Sequence, residues 1–175
     1  MALVPTVKWD DDAVVMLDQR LLPAQEAYLR CHDHREVAAA IRDMAIRGAP
    51  AIGVAAALGL ALGVSRLDVE DGMGPAFEAM CAELGATRPT AVNLFWAIER
   101  MRRRFAREAP RGLPAVRAGL LEEARAIHDE DLAACRRMGD LGAVVVPGDA
   151  RLLTHCNAGA LATAGYGTAL GVIRS

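Results

Sequence analysis

The chain has 175 residues, enough for one domain or for one domain with part of a second. Hydrophobic residues make up 53% of it and aromatic residues only 4%, so its core must be aliphatic and alanine-rich. A net charge of −2 excludes a whole-molecule attraction to nucleic acid or to an anionic membrane. Cys31, Cys81, Cys135 and Cys156 are widely spaced and form no C-x-x-C pair. They offer neither a disulfide framework nor a zinc spacing, and they fit a reducing cytoplasm. The start, Met1 to Trp9, lacks the basic and then apolar stretches of a signal peptide.

Taken in order, Leu3 to Trp9, Val14 to Asp18 and Ala27 to Arg30 are short runs separated by polar and proline-containing turns. They predict a small antiparallel sheet. Asp33-His34-Arg35-Glu36 has the D-x-x-E form of a capping box. It opens a helix with Val37, Ala40, Ile41, Met44 and Ala45 as its apolar stripe, broken at Arg47-Gly48-Ala49-Pro50. Ala49 to Val64 contains no charge and lies between Arg47 and Arg66. At about 20 residues for a spanning helix it is too short to cross a bilayer, so a buried core helix is expected. Pro50 suits its first turn, where a missing N–H is harmless.

After the glycine-bearing Asp71 to Pro75, a helix is expected from about Ala76 to Leu84. A second follows Arg88-Pro89-Thr90, with Leu94, Ile98, Met101 and Phe105 on one face. A long helix from Leu113 to Met138 carries Leu113, Val116, Leu120, Ala124, Ile127 and Cys135 in register. Val144 to Val146 reads as a short strand or the approach to one. Composition shifts near Pro147, which divides the chain into residues 1–147 and 148–175. Arg151 to His155 then reads as a strand, followed by the glycine-rich run Cys156 to Gly167 and a helical Thr168 to Ile173. Strand, glycine loop and helix in that order place backbone N–H groups against an anion.

Several residues carry chemistry in this pattern. Cys156 at the strand end is either a small buried residue or a thiol tuned by the loop's positive field. Arg47 with Gly48 is either a helix end with a solvated arginine or a phosphate fork. Arg88, held before a proline, either faces solvent or clamps an anion. Cys31, His32, Asp33 and His34 resemble a metal cluster, but a helix cap explains them better. Arg100, Arg102, Arg103, Arg104 and Arg107 alternate around an apolar stripe and read as a solvated face. Asp131 lies on the apolar stripe of the long helix, where a carboxylate needs a partner such as a backbone N–H.

Three motifs occur together: Arg47-Gly48-Ala49-Pro50-Ala51-Ile52-Gly53, Arg88-Pro89-Thr90-Ala91-Val92-Asn93-Leu94 and Thr154-His155-Cys156-Asn157-Ala158-Gly159. In this order they make the chain resemble methylthioribose-1-phosphate isomerase, of the superfamily that includes the regulatory subunits of translation initiation factor 2B. The resemblance implies an α/β protein: a small N-terminal β-layer and helical bundle, then the first strand-loop-helix of a Rossmann-like parallel sheet. It implies a cytoplasmic homodimer of methionine salvage that converts 5-methylthioribose 1-phosphate to 5-methylthioribulose 1-phosphate without metal or organic cofactor. Arg47, Gly48, Ala49 and Arg88 match its substrate-binding positions and Cys156 its catalytic cysteine, with Asn157 and Gly159 as loop contacts. The family's catalytic aspartate belongs to a C-terminal half absent here, so the chain is expected to be a fragment inactive alone, with apolar surface exposed at its terminal strand and helix. A related sugar phosphate, 5-deoxyribose 1-phosphate or ribose 1,5-bisphosphate, or a non-catalytic regulatory role are the other outcomes the resemblance allows.

Overall fold

The computed structural model describes residues 5–68 and 70–175. Leu3 and Val4, the start of the first expected strand run, lie outside them. Three strands form one antiparallel sheet in chain order: β1 (Val7–Asp10), β2 (Ala13–Leu17) and β3 (Tyr28–Cys31). Trp9 pairs with Val14 and Val15 with Arg30 across it. One face is solvated, while Val7, Val14 and Met16 are buried against the helices.

Helix α1 (His34–Arg42) starts where the capping pattern places it. The Asp33 carboxylate accepts from the N–H groups of Arg35 and Glu36, both at 2.9 Å. Glu36 reaches one residue further back than in a capping box and accepts from the His32 N–H. The helix stops at Arg42, short of the expected stripe. Met44 is already left-handed, with φ 60°, while Ala45 remains fully buried beyond the helix end.

Helix α2 (Ala49–Ser65) is the axis of the molecule, with every residue from Ala51 to Val64 buried. A helix apolar on all sides must be surrounded, and here α1, the sheet and the helices that follow surround it. Its glycines let neighbours approach: a Cβ at Gly53 would fall 2.9 Å from the Asn93 carbonyl oxygen, and one at Gly59 the same distance from Val37. Helices α3 (Met73–Thr87), α4 (Val92–Glu108) and α5 (Leu113–Ala143) complete the bundle, with a short 3-10 turn at Ala109–Arg111 between the last two. The buried stripe of α5 runs through Leu113, Val116, Leu120, Ala124, Ile127 and Cys135 as its periodicity predicts.

The arginine run of α4 is a solvated face only in part: Arg103 and Arg107 are exposed, whereas Arg100, Arg102 and Arg104 are engaged by other helices. Arg100 pairs with Glu123 at 2.6 Å and also with Glu130, while Arg104 pairs with Glu108, Glu122 and Glu123. Arg102 meets Glu78 of α3 at 2.8 Å. Carboxylates of α3 and α5 face these arginines and hold them, which the charge pattern of α4 alone does not reveal.

Two expected strands are absent. Val144 and Val145 form an exposed turn, 83% and 79% accessible, and residues 151–155 are irregular, with Leu153 98% exposed. A strand needs a ladder partner, and among the described residues none lies beside either segment. The chain then makes a 3-10 turn at Ala160–Ala162, a bridge between Gly159 and Gly167, and α6 (Ala169–Arg174). Helix α6 packs on the end of α5, where Gly142 leaves room for Val172. Leu170 and Ile173 remain partly exposed. No described helix is long and apolar enough to cross a membrane.

Candidate active site

The site grows from the N-terminus of α2. Gly48 caps that helix with φ 103° and ψ 134°, a conformation open to glycine alone. A Cβ there would sit 2.4 Å from the Ala162 Cα and 2.7 Å from its carbonyl oxygen. The turn at 160–162 therefore lies directly on the helix start, where the first amides have no partner within the helix.

Three distant elements pin the loop that carries this turn. The Thr6 hydroxyl donates to the Ala160 carbonyl at 2.8 Å, and the Gln19 amide donates to the Leu161 carbonyl at 2.7 Å. From α5, Asp131 accepts from the Ala164 N–H at 2.7 Å, which answers the puzzle of a carboxylate on an apolar stripe. Burial pushes its carboxyl pKa up, and the Ala164 N–H only partly offsets that. Inside the loop, the Thr163 hydroxyl oxygen accepts from the N–H groups of Gly165 and Gly167 at 3.2 and 3.0 Å. Thr6, Gln19 and Thr163 are supporting residues that gave no signal in the sequence. Asp131 had one, its position on the stripe.

Beside the pinned loop is a cavity of about 560 Å³. Arg47, Gly48, Ala49, Arg88, Cys156 and Asn157 all line it, together with Met44, Pro50, Ala162, Thr163 and Thr168. Gly159 does not; it builds the loop through its bridge to Gly167, and a Cβ on Gly167 would fall 2.7 Å from its carbonyl carbon. Arg88 ends α3 with extended backbone, φ −143°, as Pro89 after it requires. Its Nη1 is buried and has no hydrogen-bond partner among the described residues. Such a donor carries a desolvation cost of about 1–3 kcal/mol until an acceptor arrives. Arg47 is exposed on the same cavity.

Cys156 departs from expectation in one respect: it follows irregular chain instead of ending a strand, with φ 71°. It is exposed, which sets aside the alternative of a small buried residue. All four cysteines are free, and the other three are buried. Burial pushes the Cys31 thiol up to about 11 and the Cys81 thiol to about 12, so neither ionises readily. In the supposed metal cluster, Asp33 caps α1 and His34 Nε2 lies 3.3 Å from Glu83, while Cys31 is buried in the core.

The sequence pattern of the Initiation factor 2 subunit family matches residues 45–175. A methylthioribose-1-phosphate isomerase from Koribacter versatilis is 52% identical over 99% of this chain and 50% of its own length. One from Trichlorobacter lovleyi is 54% identical over 97% of this chain and 50% of its own. Among solved structures, the 5-methylthioribose 1-phosphate isomerase of Pyrococcus horikoshii superposes with a TM-score of 0.94 at 41% identity, over 99% of this chain and 49% of that one. The delta subunit of translation initiation factor eIF-2B from A. fulgidus gives 0.89 at 37% identity, over 98% and 50%. The chain thus spans about half the length of the relatives it matches.

Proposed function

The chain belongs to the Initiation factor 2 subunit family, and from that premise we propose that it carries the phosphate-anchoring half of an aldose–ketose isomerase acting on 5-methylthioribose 1-phosphate. The observation that carries this reading is the buried, unpartnered Nη1 of Arg88 on a cavity shared with Arg47 and Cys156. A cavity with two arginines, one of them short of an acceptor, is chemically suited to a phosphate.

In this reading Arg47, Arg88 and the backbone at Gly48 and Ala49 hold the phosphate, and Asn157 contacts the sugar. Phosphate on the anomeric oxygen locks the ring closed. Protonating the ring oxygen breaks its bond to C1, after which hydrogen passes from C2 to C1 and C2 becomes the carbonyl. Cys156 exchanges a proton with the sugar, or stabilises the migrating charge if hydrogen moves as hydride. The second acid/base group comes from the half of the relatives that this chain does not span. There, residues 148–175 lead into a Rossmann-like parallel sheet that supplies the partners Leu152 and Leu153 lack. The working protein is a cytoplasmic homodimer of methionine salvage, and the isomerisation itself calls for neither metal nor organic cofactor.

The likeness to the A. fulgidus subunit favours a second reading, a regulatory module that binds a phosphorylated ligand without turnover. A thiol on the cavity wall favours the enzyme. The two separate in a full-length polypeptide containing this chain, assayed for conversion of 5-methylthioribose 1-phosphate. Cys156→Ser should lower kcat by about 10²–10⁴-fold and leave binding unchanged, as expected for a positioned proton-transfer group. Full turnover by that variant removes Cys156 from the mechanism. Binding without turnover by the unaltered protein selects the regulatory reading.

A further inference from the structure

Met44 is an unexpected residue where it stands. It follows the last turn of α1 with left-handed backbone, φ 60°, and its N–H bonds the Ile41 carbonyl at 3.3 Å. Glycine usually fills such a position, because a Cβ in this conformation is strained. Burial does not offset the strain: Met44 is 43% exposed, whereas the adjacent Ala45 and Ile46 are fully buried. Met44 instead lines the cavity that holds Arg47 and Arg88.

That lining has a cationic part, Arg47 and Arg88, and a polar part from Asn157, Thr163 and Thr168. The remaining residues are small or rigid, so Met44 is the one long, flexible apolar side chain on the wall. The substrate proposed above has the same division, with a phosphate at one end and a methylthio group at the other. We infer that Met44 forms the apolar wall for the C5 substituent of the sugar and sets the preference for a thioether there. This rests on the isomerase reading. A methionine thioether is unbranched and polarizable, so it can fit around a second thioether and gain dispersion contact. A hydroxyl at the same place would lose water and find no partner on that side chain.

Two variants test the assignment in the full-length polypeptide. Met44→Gly removes the wall and relaxes the backbone, so the melting temperature should hold or rise. Met44→Gln keeps the length and makes the wall polar. The readout is the ratio of kcat/KM for 5-methylthioribose 1-phosphate to that for 5-deoxyribose 1-phosphate, which lacks the sulfur. Both variants should lower the ratio about 10-fold, the scale on which an apolar pocket separates substrates differing by one or two heavy atoms. A ratio unchanged in both variants, or an equal fall for both sugars, overturns the inference and leaves the isomerase reading standing. If the unaltered, folded protein turns over neither sugar, the isomerase reading fails and this inference with it.

Discussion

Gly48→Ala tests whether the cavity depends on contact between the start of α2 and the 160–162 turn. Two costs act at this residue. Its φ of 103° and ψ of 134° belong to a region that side chains avoid, at about 1–3 kcal/mol. The added methyl would also lie 2.4 Å from the Ala162 Cα and 2.7 Å from the Ala162 carbonyl oxygen. These are largely backbone atoms, which cannot swing aside as a flexible side chain would, and overpacking of this kind costs about 1–3 kcal/mol. Together the expected loss is about 2–6 kcal/mol, a large part of the 5–15 kcal/mol that holds a typical domain. For a chain of this size each kcal/mol moves the melting temperature by about 2–4 °C, so a drop of at least about 4 °C is expected. Thermal melts of the 175-residue chain followed by circular dichroism measure it directly. A melting temperature within about 1 °C of the parent would show that the turn does not press on Gly48, and the cavity geometry argued from it would fall.

The other expectations use the same chain or the full-length protein. Gly74→Ala, in the first turn of α3 with nothing within 4 Å of the new Cβ, should stabilise the chain by about 0.5–1 kcal/mol in urea titrations. Arg88→Met removes a buried donor without a partner, so the melting temperature should hold or rise while sugar-phosphate affinity falls about 10-fold or more by calorimetry. Unchanged affinity would dismiss Arg88 as an anion ligand. For Asp131 burial raises the folded-state pKa above the usual 3.8, so the folded state holds its proton more tightly than the unfolded chain. Stability present at acid pH is then lost as pH rises through the raised value. Asp131→Asn lacks that loss, so the parent's urea midpoint should fall relative to the variant's between pH 3.8 and neutrality; a parallel pH profile would contradict the raised pKa.

Much of the helical frame is legible in the sequence because one face of each helix decides it. The uncharged Ala49 to Val64 needs no partner to be identified as buried, and the stripe of α5 keeps its register from Leu113 to Cys135. The sequence is a poorer guide where the deciding atoms lie elsewhere in the chain. Arg151 to His155 has a strand's composition, but a strand is a property of a pair. The stripe of α1 runs on to Met44 and Ala45, but nothing as plain as a glycine marks the helix end at Arg42. Arg100 and Arg104 look solvated until Glu122, Glu123 and Glu130 of α5 are set against them. Among the site residues, Arg47, Gly48, Ala49, Arg88, Cys156 and Asn157 share one cavity, and Gly159 belongs to the loop behind it. The pattern located the site segments but not the residues that brace them, since Thr6 and Gln19 act across 154 and 142 positions.

Those two bonds also govern when the cavity can exist. Every helix from α1 to α5 can pack before the 160–162 turn arrives, because the core cluster draws mainly on residues before 128, with Ala164 its one later member. Once α5 has packed, only the segment from Ala143 to Ala160 remains to be closed, and the turn adds few contacts to a core that is already formed, so it docks late. The same order in reverse lets the turn lift off while α2 stays buried, a local opening cheaper than global unfolding. Amide hydrogen exchange should therefore be faster at Ala162 to Gly167 than in the middle of α2, and the cavity wall that Ala162 and Thr163 supply should be lost in that opening.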